Sequence, residues 1–306
     1  LFKGIPACPM ARAKCPNAET AFLMRRLGIA ASEVPVLAEI PGLQGKRFVL
    51  VDFNEVSKGP PDMPELAGPD GVWNAERVLG AIDHHAIQQA PLLVTAAPQL
   101  LYGYFGSIVT ETHAFGSACT IIAMKFKCRG KAPSREVAGM LIGGILSDTL
   151  GLTGPTTTPH DSAAVDFLRP LSGIEDTASL YAEMAIEKCA TVLTDPLEEV
   201  FDSDLKPYKV IPGRAAMLIG VVEVANSTFY EGLLARSAAE AGGAMDALRG
   251  RYRGTLGLDD ATELHVFVVV VSTKDKESTL ITGGGGAACI AVHAMGGRGD
   301  SRLPEG

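Results

Sequence analysis

What this chain lacks narrows its role before any motif is considered. None of its 306 residues lie in an apolar run approaching the roughly 18 residues of a helical membrane span, so a span is not expected. Positive charge is not in excess. The 27 Lys and Arg stand against 35 Asp and Glu, and a net charge of −8 argues against a general nucleic-acid binder. The same imbalance repels a phosphate ligand unless metal ions and local Lys or Arg reverse the sign. Cysteine is sparse: the six are scattered, with no CxxC pair and no dense framework. Reduced thiols in an intracellular compartment, cytoplasmic or mitochondrial, are therefore expected. The first residue is Leu1 and not Met, which leaves room for a removed leader.

What is present describes a folded protein. Hydrophobic residues make up 47% and charged residues 20%, and 306 residues suffice for two ordinary cores. The stretch Val78-Leu79-Gly80-Ala81-Ile82-Asp83-His84-His85 runs from apolar residues into an acid and two imidazoles. It reads as a buried parallel strand, and in open α/β sheets ligands bind at the carboxyl ends of such strands. Two further largely apolar runs also reach an acid, Arg47 to Asp52 and Leu141 to Thr149, the second through Asp148. Taken as parallel strands, the three would present Asp52, His84 and Asp148 at one sheet edge, where a divalent metal bridging phosphate oxygens would need them.

Elsewhere Ala18 to Leu27 reads as a helix closed by Gly28, and Gly116 to Lys127 as a helix whose start places Ser117 as a cap or phosphate contact. Asp161 to Leu168 reads as a helix capped by Asp161, and Leu180 to Lys188 as another. The segment 86–115 is expected to hold a short strand, with His113 a surface or core residue and not a ligand. Residues 57–71 read as an irregular loop, and the stretch through Asp195-Pro196 as a linker. Beyond it Ala215 to Val222 and His265 to Val271 read as strands, the second central, with Phe229 to Arg249 helical between them. Gly283 to Gly286 lacks a following Lys-Ser/Thr and reads as a turn. Arg298-Gly299-Asp300 and Asn226-Ser227-Thr228 spell an adhesion tripeptide and a glycosylation sequon, both taken as chance.

The order Val51-Asp52-Phe53-Asn54-Glu55, Ile82-Asp83-His84-His85, Gly116-Ser117-Ala118-Cys119-Thr120, Ile145-Leu146-Ser147-Asp148-Thr149 and Pro155 through Asp161 resembles the DHH phosphoesterases. It is most similar to the family II, manganese-dependent inorganic pyrophosphatases and the related exopolyphosphatases. The resemblance implies an α/β chain: a parallel-sheet DHH domain over 1–188, a smaller DHHA2-like α/β domain over 195–306, and an active-site cleft between them. It implies Asp52, His84 and Asp148 as metal ligands, His85 as the catalytic group on phosphate or leaving oxygen, and Ser117 and Arg302 as phosphate contacts.

The resemblance also locates departures. The family's His-x-x-Pro-Asp-x-Asp falls on Pro6 to Arg12, so Pro6, Met10 and Arg12 stand where His, Asp and Asp are expected. Residues 1–18 contain no Asp, Glu or His, so no shift of register restores the ligands. Cys8 and Cys15 are the available softer donors, and buried thiols are their plainer reading. Phe53 stands where the family has a second His, and Leu303 where it has Lys. Manganese or magnesium serves the family; here no ion or one weakly held ion is expected. The expected ligand is phosphate or pyrophosphate, with protein partners if the chain is a non-catalytic binding or scaffold subunit of a larger assembly. The alternative is an active metal-dependent hydrolase of pyrophosphate or short polyphosphate.

Overall fold

The computed structural model describes residues 16–35, 40–53, 73–74, 76–85, 93–97, 100–105, 108–211, 214–275, 277–284 and 287–293. The chain divides into two compact units, Leu1–Met184 and Ala185–Gly306, each of mixed α/β structure. Among the described residues no helix is long and apolar enough to cross a membrane. Pro6, Cys8, Met10, Arg12, Cys15, the 57–71 loop, Arg302 and Leu303 lie outside the described residues.

In the first unit a five-stranded sheet has the order β1-β2-β5-β4-β3, from β1 (Phe48–Val51), β2 (Val78–Asp83), β3 (Leu93–Ala97), β4 (Leu100–Phe105) and β5 (Ile108–Thr112). The strands β1, β2 and β5 are parallel, while β4 and β3 extend the sheet antiparallel. The single short strand expected between 86 and 115 is thus three strands. The apolar run of β2 carries the chain directly into Asp83, His84 and His85 at its carboxyl end.

The reading of Leu141 to Asp148 as a strand is corrected: these residues close the helix α3 (Arg135–Asp148). Ser134 starts it by accepting the Val137 N–H, and Ala138, Leu141, Ile142, Ile145 and Leu146 are buried. That spacing is the apolar stripe of a helix, which the near-continuous hydrophobicity hides in a strand-like run. Asp148 is therefore delivered by a helix end and not by a strand end. An acid in the last turn opposes the helix dipole, at a cost of about 0.3–1 kcal/mol.

Three further helices meet α3 in one core: α1 (Ala18–Leu27), α2 (Ala118–Cys128) and α4 (Pro159–Ser172). Asn17 caps α1 and Gly28 ends it with φ +74°, the left-handed conformation glycine takes without strain. Ser117 caps α2 through the Cys119 N–H. The cap of α4 is Thr158 and not Asp161; Asp161 is the third helical residue and completes a capping box. Leu23 and Leu27 of α1 lie over Gly143 and Gly139 of α3, where any Cβ would collide with them. The helix α5 (Thr177–Lys188) crosses from the first unit into the second.

The second unit holds α6 (Leu197–Asp202), β6 (Lys206–Ile211), β7 (Ala215–Val224), α7 (Ser227–Thr255), β8 (Glu263–Ser272), β9 (Glu277–Gly284) and β10 (Ala287–His293). Their sheet order is β10-β9-β8-β7-β6, so β8 is central, and only β7 and β8 run parallel, joined through α7. Alternate residues of both strands are buried, Leu218, Val222 and Val224 from β7 with Val266, Val268 and Val270 from β8. Tyr230, Leu233, Met245 and Leu248 of α7 and Phe201 of α6 complete that core. The sequon's Asn226 caps α7, accepting the Thr228 and Phe229 N–H groups.

Candidate functional site

Asp52, Asp83, His84 and His85 converge where β1 and β2 end, each offering a ligand atom within 4.8 Å of the others. Asp52 ends β1 at φ +70°, while its N–H still pairs with the Ile82 carbonyl at 3.0 Å. A left-handed non-glycine residue costs about 1–2 kcal/mol, less for Asp than for bulkier side chains. That turn sets the Asp52 carboxylate 3.3 Å from His84 Nε2.

His84 is held from its other side. Its Nδ1 lies 3.1 Å from the Phe115 carbonyl, which only accepts, so Nδ1 carries the hydrogen. In the neutral ring the Nε2 lone pair then faces a carboxylate. Two acceptors 3.3 Å apart need a cation between them, either a proton on the ring or a metal ion. Burial pulls the His84 pKa down, but the Asp52 bond, the Phe115 carbonyl and the charges of Asp52 and Asp148 outweigh it, so the net shift is upward. This donor set suits a divalent metal: a half-exposed carboxylate, an imidazole anchored at its second nitrogen by a carbonyl, and Asp148 adding negative charge.

Asp83 is fully buried beneath the two histidines. Its Oδ1 accepts the N–H groups of His84 at 2.8 Å and His85 at 3.2 Å, and His85 Nδ1 donates to it at 2.7 Å. Burial alone would raise this carboxyl, yet the His85 and His84 hydrogen bonds and the His85 charge carry it below the usual value. His85 is thereby fixed with Nε2 as its remaining functional nitrogen, on a side chain 46% exposed. That is an arrangement able to contact a phosphoryl or leaving oxygen.

The loop leading into α2 is braced on both sides. Phe115 lies between the rings of His113 and His160, with centroids 4.9 and 4.6 Å away, so His113 is a packing residue. Ser117 is fully buried, its Oγ accepting the Cys119 N–H at 3.1 Å. Burial, then the Asp148 charge, pushes the Cys119 thiol up to about 12, so it is a neutral thiol beside the site. Phe53 meets Trp73 edge-on at 6.1 Å and packs against the cluster of Phe48, Leu50 and Val78, supplying packing where a histidine would supply a donor.

The structure thus brings Asp52, His84 and His85 together, with Asp148 close enough to raise His84 although it is not one of the four converging donors. Sequence reasoning placed Asp83 at the strand ends with Asp52, His84 and Asp148, the Asp-His-His offering one hard oxygen and two nitrogens, but it did not foresee that the Asp83 carboxylate holds His85. It assigned no site role to Asp161. Its capping-box pattern from Thr158 to Asp161 was legible, whereas its bonds across the fold to Gly116 and Thr120 were not.

Two titrations follow, of opposite sign. In the absence of divalent cations the His84 contribution to stability is complete below its ordinary 6.5 and lost as pH rises through the raised folded value. The Asp83 contribution is complete above 3.8 and lost as pH falls through the lowered folded value. Urea unfolding followed against pH should show both limbs. His84→Gln should flatten the alkaline one, and an unchanged alkaline slope in that variant would refute the Asp52–His84 pairing.

No family model matches the chain. It is 31% identical over 222 residues, 71% of its length, to a probable manganese-dependent inorganic pyrophosphatase of Deinococcus radiodurans. It is 29% identical over 193 residues, 63% of its length, to a probable manganese-dependent inorganic pyrophosphatase of Streptococcus suis. The matches span 61% and 54% of those relatives' own lengths. In fold the chain resembles a candidate family II inorganic pyrophosphatase of Methanococcus jannaschii, with TM-score 0.62 and 22% identity over 92% of this chain and 84% of that one. Its sequence relatives are probable manganese-dependent inorganic pyrophosphatases, its fold is like that of a candidate family II inorganic pyrophosphatase, and the order of its motifs fits the DHH-family resemblance.

Proposed function

We propose that the chain is a pyrophosphatase-like protein that holds at most one weakly bound manganese or magnesium ion and acts as a non-catalytic binding or scaffold subunit. In this reading 1–188 is the DHH domain and 195–306 the DHHA2-like domain. The observation that supports a retained cation site is the pair of acceptors, Asp52 Oδ1 and His84 Nε2, facing each other at 3.3 Å. Asp52 and His84 would hold the ion with Asp148 adding charge, and the chemistry supplied there would be neutralisation of a phosphoryl oxygen. His85, set by Asp83, contacts the phosphate; Ser117 at the start of α2 and Arg302 are the further phosphate contacts proposed. Support for lost turnover comes from Pro6, Met10 and Arg12, none of which offers a hard ligand where the family has His, Asp and Asp.

A second reading is a working hydrolase of pyrophosphate or short polyphosphate. The four converging donors favour it, as do the curated relatives described as manganese-dependent pyrophosphatases. Metal content and pyrophosphate turnover of the purified chain with added manganese separate the two. Background turnover with no more than one ion per chain is expected. Rapid manganese-dependent release of phosphate, or two ions per chain, would put the hydrolase reading first.

A further inference from the structure

We propose that Asp161 is a positioning residue for His84, acting through the single peptide group between Phe115 and Gly116. This inference rests on the cation-site reading of His84 and adds a residue far from it in sequence. Both ends of that peptide are engaged. The Phe115 carbonyl accepts from His84 Nδ1 at 3.1 Å, and the Gly116 N–H donates to the Asp161 carboxylate, 3.1 Å from Oδ1 and 3.0 Å from Oδ2. A peptide is planar and stiff, so fixing the direction of its N–H fixes the direction of its carbonyl. A carboxylate on the N–H end also polarises the group and makes the carbonyl oxygen a better acceptor. The consequence at the far end is a defined His84: hydrogen on Nδ1, lone pair on Nε2, ring plane aimed at Asp52.

The carboxylate is built in for this placement. Asp161 is fully buried and receives Thr120 Oγ1 at 2.6 Å, Thr158 Oγ1 at 2.6 Å and the Thr158 N–H at 2.7 Å. With the Gly116 N–H that makes four donors around an acceptor-only group, so an amide in its place would turn its own N–H₂ toward one of them. Glycine at 116 is required by the approach: a Cβ there would lie 2.8 Å from Asp161 Oδ2 and 2.6 Å from Thr149 Cγ2. The flanking rings of His113 and His160 against Phe115 hold the same peptide from its other neighbour.

A plain structural clamp would use the Thr120 bond between α2 and α4 and the Thr158 capping bonds at the start of α4 but would not need the peptide. The test therefore compares Asp161→Ala and Asp161→Asn with Thr120→Val, which removes one clamp bond and leaves the peptide untouched. The first readout is the ring-nitrogen NMR signature of His84 in the cation-free full chain, with the ring neutral and Asp52→Ala in every sample of this readout, so that no carboxylate competes for a proton on Nε2. The Asp52→Ala chain with Asp161 intact is expected to show the Nδ1–H tautomer alone. Asp161→Ala should give a mixture of tautomers, Asp161→Asn a partial retention, and Thr120→Val no change. The second readout is manganese affinity, expected to weaken about 10–100-fold in Asp161→Ala and to stay unchanged in Thr120→Val. A mixed tautomer or the Nε2–H tautomer in the Asp52→Ala chain with Asp161 intact overturns the proposal. So does a folded Asp161→Ala that keeps the single Nδ1–H form. Absence of manganese uptake by the unmodified chain would sink the cation-site reading alone, because the tautomer comparison still decides the role of Asp161.

Discussion

Manganese affinity should rise at least 10–100-fold in the triple variant Pro6→His, Met10→Asp and Arg12→Asp. Loss of a group that merely orients a metal ligand typically costs about that factor, and here three direct ligands are supplied together. The variant adds one imidazole and two hard carboxylates, the donor types that suit manganese and magnesium. It also exchanges the cation of Arg12 for an anion. Asp52 and His84 already face each other 3.3 Å apart, so the added ligands meet part of a site in place. Isothermal titration with manganese measures the gain. Turnover should recover less completely than affinity, because Phe53 is committed to packing on Trp73 and catalytic geometry must be right to within about 0.5 Å. An unchanged affinity would mean that residues 6–12 do not stand at ligand positions, and it would withdraw the account of the lost site.

Phe201→Ala should destabilise the second unit by about 3–5 kcal/mol. Phe201 is fully buried on α6, in the core that α6 and α7 form with alternate residues of β7 and β8. Removing the ring forfeits its transfer free energy and leaves a void that the neighbours fill only in part. Relief by collapse is limited. At Gly220 of β7 a Cβ would already lie 3.2 Å from the Phe201 carbonyl and 3.0 Å from Leu205, so helix and strand are in close contact there. The exposed Ile186→Ala is the control, expected to change stability by no more than about 0.5 kcal/mol. Urea unfolding monitored by circular dichroism compares them, and a Phe201→Ala loss no larger than the control would contradict this packing.

Much of the fold was legible in the residues. Ser117 and Gly28 mark helix ends by the hydrogen bond or backbone angle they favour, and the structure uses each in that way. The central strand around His265 to Val271 was equally plain, since alternate burial beside a long helix leaves a strongly apolar run. The run before Asp148 was misread because a helix buried on most sides and a buried strand have similar composition. Only the spacing of Ala138, Leu141, Ile142, Ile145 and Leu146 separates them. The pair of strands beyond β5 was missed for another reason: antiparallel neighbours there are set by register across turns, which local composition does not encode.

The sequence by itself determined the α/β class, the helix ends at Ser117 and Gly28, the Asp-His-His at the end of β2, and the absence of Asp, Glu and His from residues 1–18. These are local matters, decided by a residue's own backbone preference, its periodicity or its donor chemistry. Tertiary structure alone decided that Asp52 faces His84, that Phe115 lends a carbonyl to one ring nitrogen, and that Asp161 grips the other end of the same peptide from 45 residues away. Hydrogen bonds between distant segments depend on how strands and helices pack before any side chain can reach its partner, and no pattern within a single segment records that packing.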